Sequence, residues 1–182
     1  EMESYETDRR TRPLSVPAVI DEESMFVFDA RSASIPPKGR MSKARLERIE
    51  RDRRKVGRRR NEAPAAIRKV LETANRCVRG PVTLVCDEKS NYPTIGRKVF
   101  GADFVLEQHS SKLPRNRTNP LFWINLTNAM LRDLISRLRR RSWLNSKKRE
   151  RLDLHLAYFL AYRNLVRVRF NRDKRTPAQY IG

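Results

Sequence analysis

The chain has 182 residues, a length typical of one domain. It carries 41 Lys and Arg against 21 Asp and Glu, a formal net charge of +20, which favours polyanionic partners such as phosphate backbones. The hydrophobic fraction of 38% excludes wholesale disorder. No apolar run reaches the length of about 18 residues that a membrane-spanning helix needs.

The first half of the chain predicts two strands followed by a basic segment. Residues 14–20 and 25–35 are predicted to form an antiparallel hairpin, joined by an acidic turn. Pro17 lacks a backbone donor, which favours an edge position for the first of these strands. The segment at about 40–62 is dense in Arg and Lys and has a weak apolar stripe, so it predicts an exposed, basic helical insertion.

The second half predicts alternating helices and strands. Apolar residues recur at helical spacing from Ile67 to Val78, after Pro64, and predict a helix. The run V-T-L-V-C at 82–86 predicts a strand buried on both faces. Further elements are expected in chain order: a helix at 92–99, a strand at 103–107, a helix from 120 to about 143 capped by Asn119, a helix from about 146 to 169, and an irregular tail. This order predicts an α/β or α+β layered domain.

The cysteines and the first residues indicate a cellular compartment. Cys77 and Cys86 are too few for a disulfide framework and lack partners at zinc-finger spacing, so we expect two reduced core cysteines. The opening residues, E-M-E-S-Y-E, lack a signal-peptide pattern. These features predict a cytoplasmic protein.

Asp87 directly follows the predicted strand at 82–86. A carboxylate at the carboxyl end of a buried strand lies where open α/β sheets bind ligands. The alternative is an N-cap for the helix that follows Ser90. Position alone leaves both roles open.

A polar stripe borders the apolar face of the helix predicted from 120. At about 100° per residue, one narrow face is shared by Asn125, Asn128, Arg132, Ser136 and Arg139. Amide and guanidinium groups beside the core suggest the wall of a groove. An ordinary polar flank is the alternative.

Basic residues crowd the junction of the two long C-terminal helices. The candidate DNA-binding residues are Arg132, Arg137, Arg139, Arg140, Arg141, Lys147, Lys148 and Arg149. The guanidinium fork pairs well with phosphate, and such contacts position a duplex without reading its sequence. A merely solvated face is the alternative. His109 and His155 lack a metal-ligand pattern, and His155 follows the apolar spacing of its helix, which predicts a structural role.

Several segments together resemble the DDE-type transposases of short bacterial insertion sequences. They are E-M-E-S-Y-E, R-P-L-S-V-P, C-D-E-K-S-N-Y-P, N-P-L-F-W-I-N-L-T-N-A-M-L-R-D-L-I-S-R-L-R-R-R-S-W and T-P-A-Q-Y-I-G. The resemblance covers most of the chain, and the order and spacing of the segments make it specific. It implies one RNase H-like domain over 1–182, with a mixed β-sheet packed with helices and two long C-terminal helices.

The resemblance implies three active-site residues that hold Mg²⁺ or Mn²⁺ and cleave and join DNA at insertion-sequence ends. Asp87 would be the second of them. Asn125 would be the third, where many relatives have Glu, and an amide is a weaker, neutral ligand. The first would be an Asp directly before Glu1, so we expect a partial domain with an incomplete first strand and impaired catalysis. Glu1, Asp21 and Asp29 are weak substitutes for that Asp.

The resemblance also implies DNA as the partner and homo-oligomers as the acting form. Two alternatives fit the composition. A non-enzymatic, basic nucleic-acid-binding protein would have the same charge, but Asp87 and Asn125 would then have no reason to converge. A membrane-surface protein would need an amphipathic helix with a purely apolar face and basic flanks, whereas we expect the second long helix to be buried in the core and no membrane to be bound.

Overall fold

A computed structural model describes residues 1–8, 10–101, 104–139 and 147–182. Its helices and short strands confirm the predicted α+β class. The strands are β1 (Met2–Tyr5), β2 (Pro13–Val16), β3 (Ala18–Ile20), β4 (Val27–Ala30), β5 (Ala33–Ser34), β6 (Thr83–Asp87) and β7 (Val105–His109). The helices are α1 (Lys43–Val56), α2 (Ala63–Cys77), α3 (Tyr92–Phe100), α4 (Phe122–Leu134), α5 (Arg149–Ala161) and α6 (Pro177–Ile181). The RNase H-like topology stays a prediction.

The N-terminal strands form two small antiparallel sheets. β3 and β4 pair from Ala18 opposite Ala30, which confirms the predicted hairpin. Pro17 divides the predicted first strand into β2 and β3, because it cannot donate to a ladder. The predicted edge position is wrong for β2, which lies between β1 and β5. The carbonyl of Pro17 still accepts a hydrogen bond from the backbone of Arg31 at 3.1 Å.

The strands β6 and β7 form a separate parallel pair, in register from Thr83 opposite Val105 to Asp87 opposite His109. The strand predicted at 82–86 is therefore confirmed. Its burial on both faces is wrong, since Cys86 is its one buried residue and β7 is its one partner among the described strands. β7 begins later than predicted, and residues 102–103 lie outside the described part.

The helices pack on these sheets around two main clusters of apolar side chains. The larger cluster lies between the N-terminal strands, α4 and α5, and contains Met2, Leu14, Val16, Val27, Leu131, Ile135, Leu138, Leu152, Leu156 and Phe159. A smaller cluster joins α2 to α3 through Ile67, Leu71 and Ile95, with Leu84 of β6 packed against it. α2 and α3 confirm the helices predicted after Pro64 and at 92–99.

The helix predicted from 120 to about 143 is shorter than expected. The predicted cap at Asn119 is wrong, because the helix begins at Phe122 after Leu121 and has no side-chain cap. The Oδ1 atom of Asn119 accepts a hydrogen bond from the backbone of Leu121 at 2.8 Å, in the turn before the helix. After Leu134 the chain becomes extended, with φ of −104° and ψ of 99° at Ile135. This turn buries Ile135 in the larger cluster, and a 3₁₀ turn follows at Ser136–Leu138.

The early end of α4 corrects the predicted polar stripe. Asn125, Asn128 and Arg132 lie on the helix, whereas Ser136 and Arg139 lie beyond its end. Leu134, the last residue of α4, is 43% exposed. Residues 140–146 lie outside the described part.

The second long helix is confirmed as α5, which continues as a π turn at Tyr162–Val166. The structural role predicted for His155 is wrong, because its side chain is exposed and its Nε2 accepts a hydrogen bond from Arg137 at 3.1 Å. Cys86 is buried as predicted, but Cys77 is exposed at the end of α2, and both thiols are free. The tail, predicted to be irregular, contains α6 with its capping box. None of the described helices is long and apolar enough to cross a membrane.

A buried amide fixes the π turn to the hairpin. The Nδ2 atom of Asn164 donates to the carbonyl of Val27, and its Oδ1 atom accepts from the amide of Val27, each at 2.9 Å. One side chain thereby satisfies both backbone groups of a buried strand residue, as a neighbouring strand would.

We expect Asn164→Leu to destabilise the protein by about 2–4 kcal/mol, because it leaves a buried donor and a buried acceptor of Val27 unpaired. Asn164→Asp should also destabilise it, since the carboxylate cannot donate to the carbonyl. Urea unfolding would measure both. Asn75→Leu is the matched control, because Asn75 is exposed and makes one side-chain bond, to Val99. Equal losses at positions 164 and 75 would contradict the argument.

Candidate metal and nucleic-acid site

Asp87 ends β6, and its side chain is only partly accessible. Its Oδ1 atom is buried and has no hydrogen-bond partner within the described part of the chain. A buried carboxylate oxygen is costly unless a cation or a donor meets it. The alternative role as an N-cap is wrong, because α3 begins after Asn91. Asp87 is therefore a carboxylate with capacity for a ligand.

Glu1 pairs with Lys89, two residues after Asp87. The Oε2 atom of Glu1 forms this ion pair with the ammonium group, while its Oε1 atom is buried and unpartnered among the described residues. Burial raises the pKa of the Tyr92 phenol far above its ordinary value, and the negative charges of Glu1 and Asp87 raise it further. Two carboxylates thus converge on one protonated phenol at the start of α3.

Asp29 and Asp21, the other two substitutes for the first active-site carboxylate, bind other residues. Asp29 pairs with Arg31 at 2.6 Å and accepts a hydrogen bond from Thr73 at 3.1 Å. Asp21 accepts hydrogen bonds from Ser24 within the hairpin turn. Asp21 lines the same cleft as Asp87, but among the three candidates Glu1 pairs with Lys89 and acts on Tyr92 together with Asp87.

The thiol next to Asp87 is protonated in the metal-free protein. Burial raises the pKa of Cys86 to about 11, and the charge of Asp87 contributes to the rise. The carboxylate and amide oxygens that line the same cleft are donors of the kind that hard cations such as Mg²⁺ prefer.

An open cleft of about 1530 Å³ connects these groups to α4. Its lining includes Asp87, Glu1 and Tyr92 as well as Asn125 and Asn128, together with Asp21 and Glu22. Asn128 is buried, and its Oδ1 atom has no hydrogen-bond partner in the described ranges. The sequence placed Asn128 on the polar stripe but gave it no role, although its spacing of three residues from Asn125 was a signal.

The oxygen donors of the cleft fit a divalent cation weakly. Two carboxylates have unpaired buried oxygens, and the amides of Asn125 and Asn128 can supply neutral oxygens. In the part of the chain that the structure describes, no three or more His, Cys, Asp or Glu residues form a metal-binding group. A set with two negative charges holds Mg²⁺ or Mn²⁺ less tightly than three carboxylates would.

The structure distributes the predicted DNA-binding residues between two places. Arg132, Arg137 and Arg139 line the cleft, and Arg139 also pairs with Asp133 at 3.6 Å. Lys147 and Lys148 are exposed just before α5, away from the residues that line the cleft. Arg149 forms an ion pair with Glu62, so its charge is compensated within the protein. Arg140 and Arg141 lie outside the described residues.

The cleft has further basic residues that the sequence analysis did not assign. They are Arg10, Lys38, Arg45 and Arg115. The aromatic rings of Phe122 and Trp123, whose centroids are 5.0 Å apart, line the same cleft at the start of α4. The basic composition near residue 40 was the available signal, but the sequence gave no indication that this segment lines the same cleft as Asp87.

No known protein-family model matches the chain, and no curated protein gives a significant sequence match. The resemblance to DDE-type transposases therefore stays a prediction from the residues. Any functional conclusion depends on the chemistry of the cleft.

Proposed function

We propose that the chain is a DNA-binding, transposase-like domain with weak, metal-dependent phosphoryl-transfer chemistry. The observation that carries the proposal is a shared cleft: unpaired oxygens of Asp87 and Glu1, the amide of Asn125 and several arginines line one open surface. Carboxylates and arginines in one cleft suit a phosphodiester, because the first hold a cation and the second bind phosphate.

The basic side chains would bind and orient the nucleic acid. Arg132 and Arg139 line the cleft near the amides of α4, so a DNA backbone held by them would lie close to Asn125. Such contacts fix position without selecting a base sequence. The aromatic ring of Trp123 offers an apolar surface on which an exposed base can stack.

A divalent cation bound at Asp87 and Glu1 would activate a water or a 3′-hydroxyl group and stabilise the leaving oxygen of a phosphodiester. Asn125 and Asn128 would complete the oxygen shell. The phenol of Tyr92 stays protonated, so it can donate a hydrogen bond to a neighbouring carboxylate and adds no charge.

Lys89 would compete with a cation for the carboxylate of Glu1. Its ammonium group already pairs with Glu1, whose side chain is 14% exposed. A bound metal must therefore displace Lys89 or share the carboxylate with it. Together with the neutral amide at position 125, this pairing supports low cation affinity and slow catalysis.

The same ion pair favours one alternative, a non-enzymatic nucleic-acid-binding protein. In that case Lys89 would neutralise Glu1 permanently, and the cleft would bind phosphate through its arginines alone. The two functions differ in cation binding, which can be measured directly.

Asp87→Asn should weaken Mn²⁺ binding at least about tenfold, because a neutral amide replaces a carboxylate ligand. Electron paramagnetic resonance of free Mn²⁺ would measure the affinity, and nicking of supercoiled DNA in Mn²⁺ would report activity. Glu72→Gln removes a negative charge from the exposed face of α2 and should change neither. Mn²⁺ binding that is absent, or unchanged in Asp87→Asn, would leave the non-enzymatic alternative.

Lys89→Met should tighten Mn²⁺ binding by roughly threefold to tenfold, because it frees Glu1 from a partly exposed ion pair. Lys89→Arg keeps the positive charge and serves as the matched control with affinity near that of the unmodified protein. An equal affinity for Mn²⁺ in the Met and Arg variants would show that Lys89 does not compete with the cation.

Binding to a DNA duplex should depend steeply on salt. If six or more phosphates are neutralised, log K should fall against log salt with a slope steeper than about −5. Fluorescence anisotropy across a salt series would measure the slope. Salt-insensitive binding, or none, would count against the basic cleft as a DNA site.

A further inference from the structure

The helix α1 differs from the other described helices because none of its residues is buried. The segment 38–60, which contains it, carries 12 Lys and Arg and 3 Asp and Glu, a net charge of +9. These 23 residues thus hold nearly half of the chain's net charge of +20. A helix that is polar all round depends on its charge contacts rather than on a core.

Polar contacts anchor the inner side of α1. The guanidinium group of Arg45 donates to the backbone carbonyls of Arg10 and Lys38 at 3.2 and 2.9 Å. Asp52 pairs with Arg12 at 3.3 Å. Part of the basic composition of this segment is therefore structural.

The outer side of α1 has a different character. Arg51, Arg54 and Lys55 are exposed at spacings of three and four residues, and Arg58 follows the helix end. Two exposed acidic residues lie on the same helix: Glu50 pairs with Arg54 at 3.8 Å, and Glu47 precedes Arg51 by four residues. Like charges at these spacings repel and destabilise a helix, whereas opposite charges stabilise it. The four basic residues outnumber the two acidic ones, so the face keeps a net positive charge.

The anchored N-terminal end of α1 reaches the cleft, and the outer face begins about one and a half turns further along the helix. Arg10, Lys38 and Arg45, which anchor the base of α1, also line the cleft that contains Asp87. From Arg51 to Lys55 the helix rises about 6 Å. A DNA duplex presents about four phosphate charges over that length.

We propose that the outer face of α1 is a second DNA contact, which binds the phosphate backbone of duplex that extends beyond the cleft. The proposal rests on the DNA binding proposed above and adds a dependence on duplex length. A short duplex fills the cleft, whereas a longer one also reaches Arg51, Arg54 and Lys55. Contacts with phosphate then reduce the repulsion among the basic side chains of α1.

The test compares the full chain with the variant Arg51→Gln/Arg54→Gln/Lys55→Gln, which keeps helix propensity and removes three charges. The control variant, Arg79→Gln/Arg97→Gln/Lys98→Gln, removes the same number and type of charges from exposed positions that do not line the cleft. A cleft variant carries Arg132→Gln/Arg139→Gln. Fluorescence anisotropy with duplexes of about 12 and about 40 base pairs, over a salt series, measures affinity and slope.

We expect the α1 variant to bind the long duplex roughly tenfold more weakly, with a salt slope shallower by about 2–3, and to bind the short duplex as the unmodified protein does. The cleft variant should bind both duplexes more weakly, and the control variant should bind both normally. Equal losses in the α1 and control variants would overturn the proposal, because the effect would then be one of net charge.

Two further outcomes separate the proposals. If the unmodified protein binds neither duplex, DNA binding itself fails, and the role of α1 fails with it. If the unmodified protein binds both duplexes and the α1 variant is unchanged on the long one, only the role of α1 fails. Vesicles of phosphatidylserine and phosphatidylcholine serve as the remaining probe, and a loss of vesicle binding with intact DNA binding would assign α1 to a membrane surface.

Discussion

Positive charge is the constraint on which the rest of this structure depends. A chain with a net charge of +20 can form a compact domain only if many of its cations find acceptors within the fold. Several guanidinium groups do so through backbone carbonyls. Arg59 donates to the carbonyls of Pro13 and Ile35 while it pairs with Glu6 at 2.8 Å. Buried Arg163 donates to carbonyls just after the π turn, and burial lowers its pKa.

This use of arginine divides the basic residues into two groups. Some hold loops and helices in place, as Arg45 and Arg59 do, and their charge is largely occupied. Others extend from α1 or into the cleft, where a polyanion would reduce their mutual repulsion. Composition alone cannot separate these groups, because the same residue type performs both roles and only its neighbours in space differ.

The cleft combines this positive surface with a small concentration of negative charge. Asp87 ends β6, Glu1 directly precedes β1 of another sheet, and the charges of both act on Tyr92 of α3. The position of α3 depends on its apolar contacts with α2, through Ile67, Leu71 and Ile95. The candidate site therefore depends on packing that is remote from its own polar groups, and a cation or a phosphate would compensate the charges that packing brings together.

Local rules determined much of this protein from its sequence. Proline and apolar periodicity located α2, two strand-like segments joined by an acidic turn located the β3–β4 hairpin, and a short apolar run located β6 with Asp87 at its end. These signals suffice because helix and hairpin geometry depend on residues close in sequence. The basic composition and the α+β class likewise follow from the sequence alone.

Tertiary structure decided the features that depend on distant residues. The end of α4 at Leu134 follows from the burial of Ile135 against other elements, which local periodicity cannot anticipate. The elements that pack beside them decide three features: His155 is exposed, β2 is central in its sheet, and β6 is partly exposed. The approach of Glu1 to Asp87 and of α1 to the cleft is likewise a matter of long-range packing, since nothing in a chain's local pattern states which surfaces will meet.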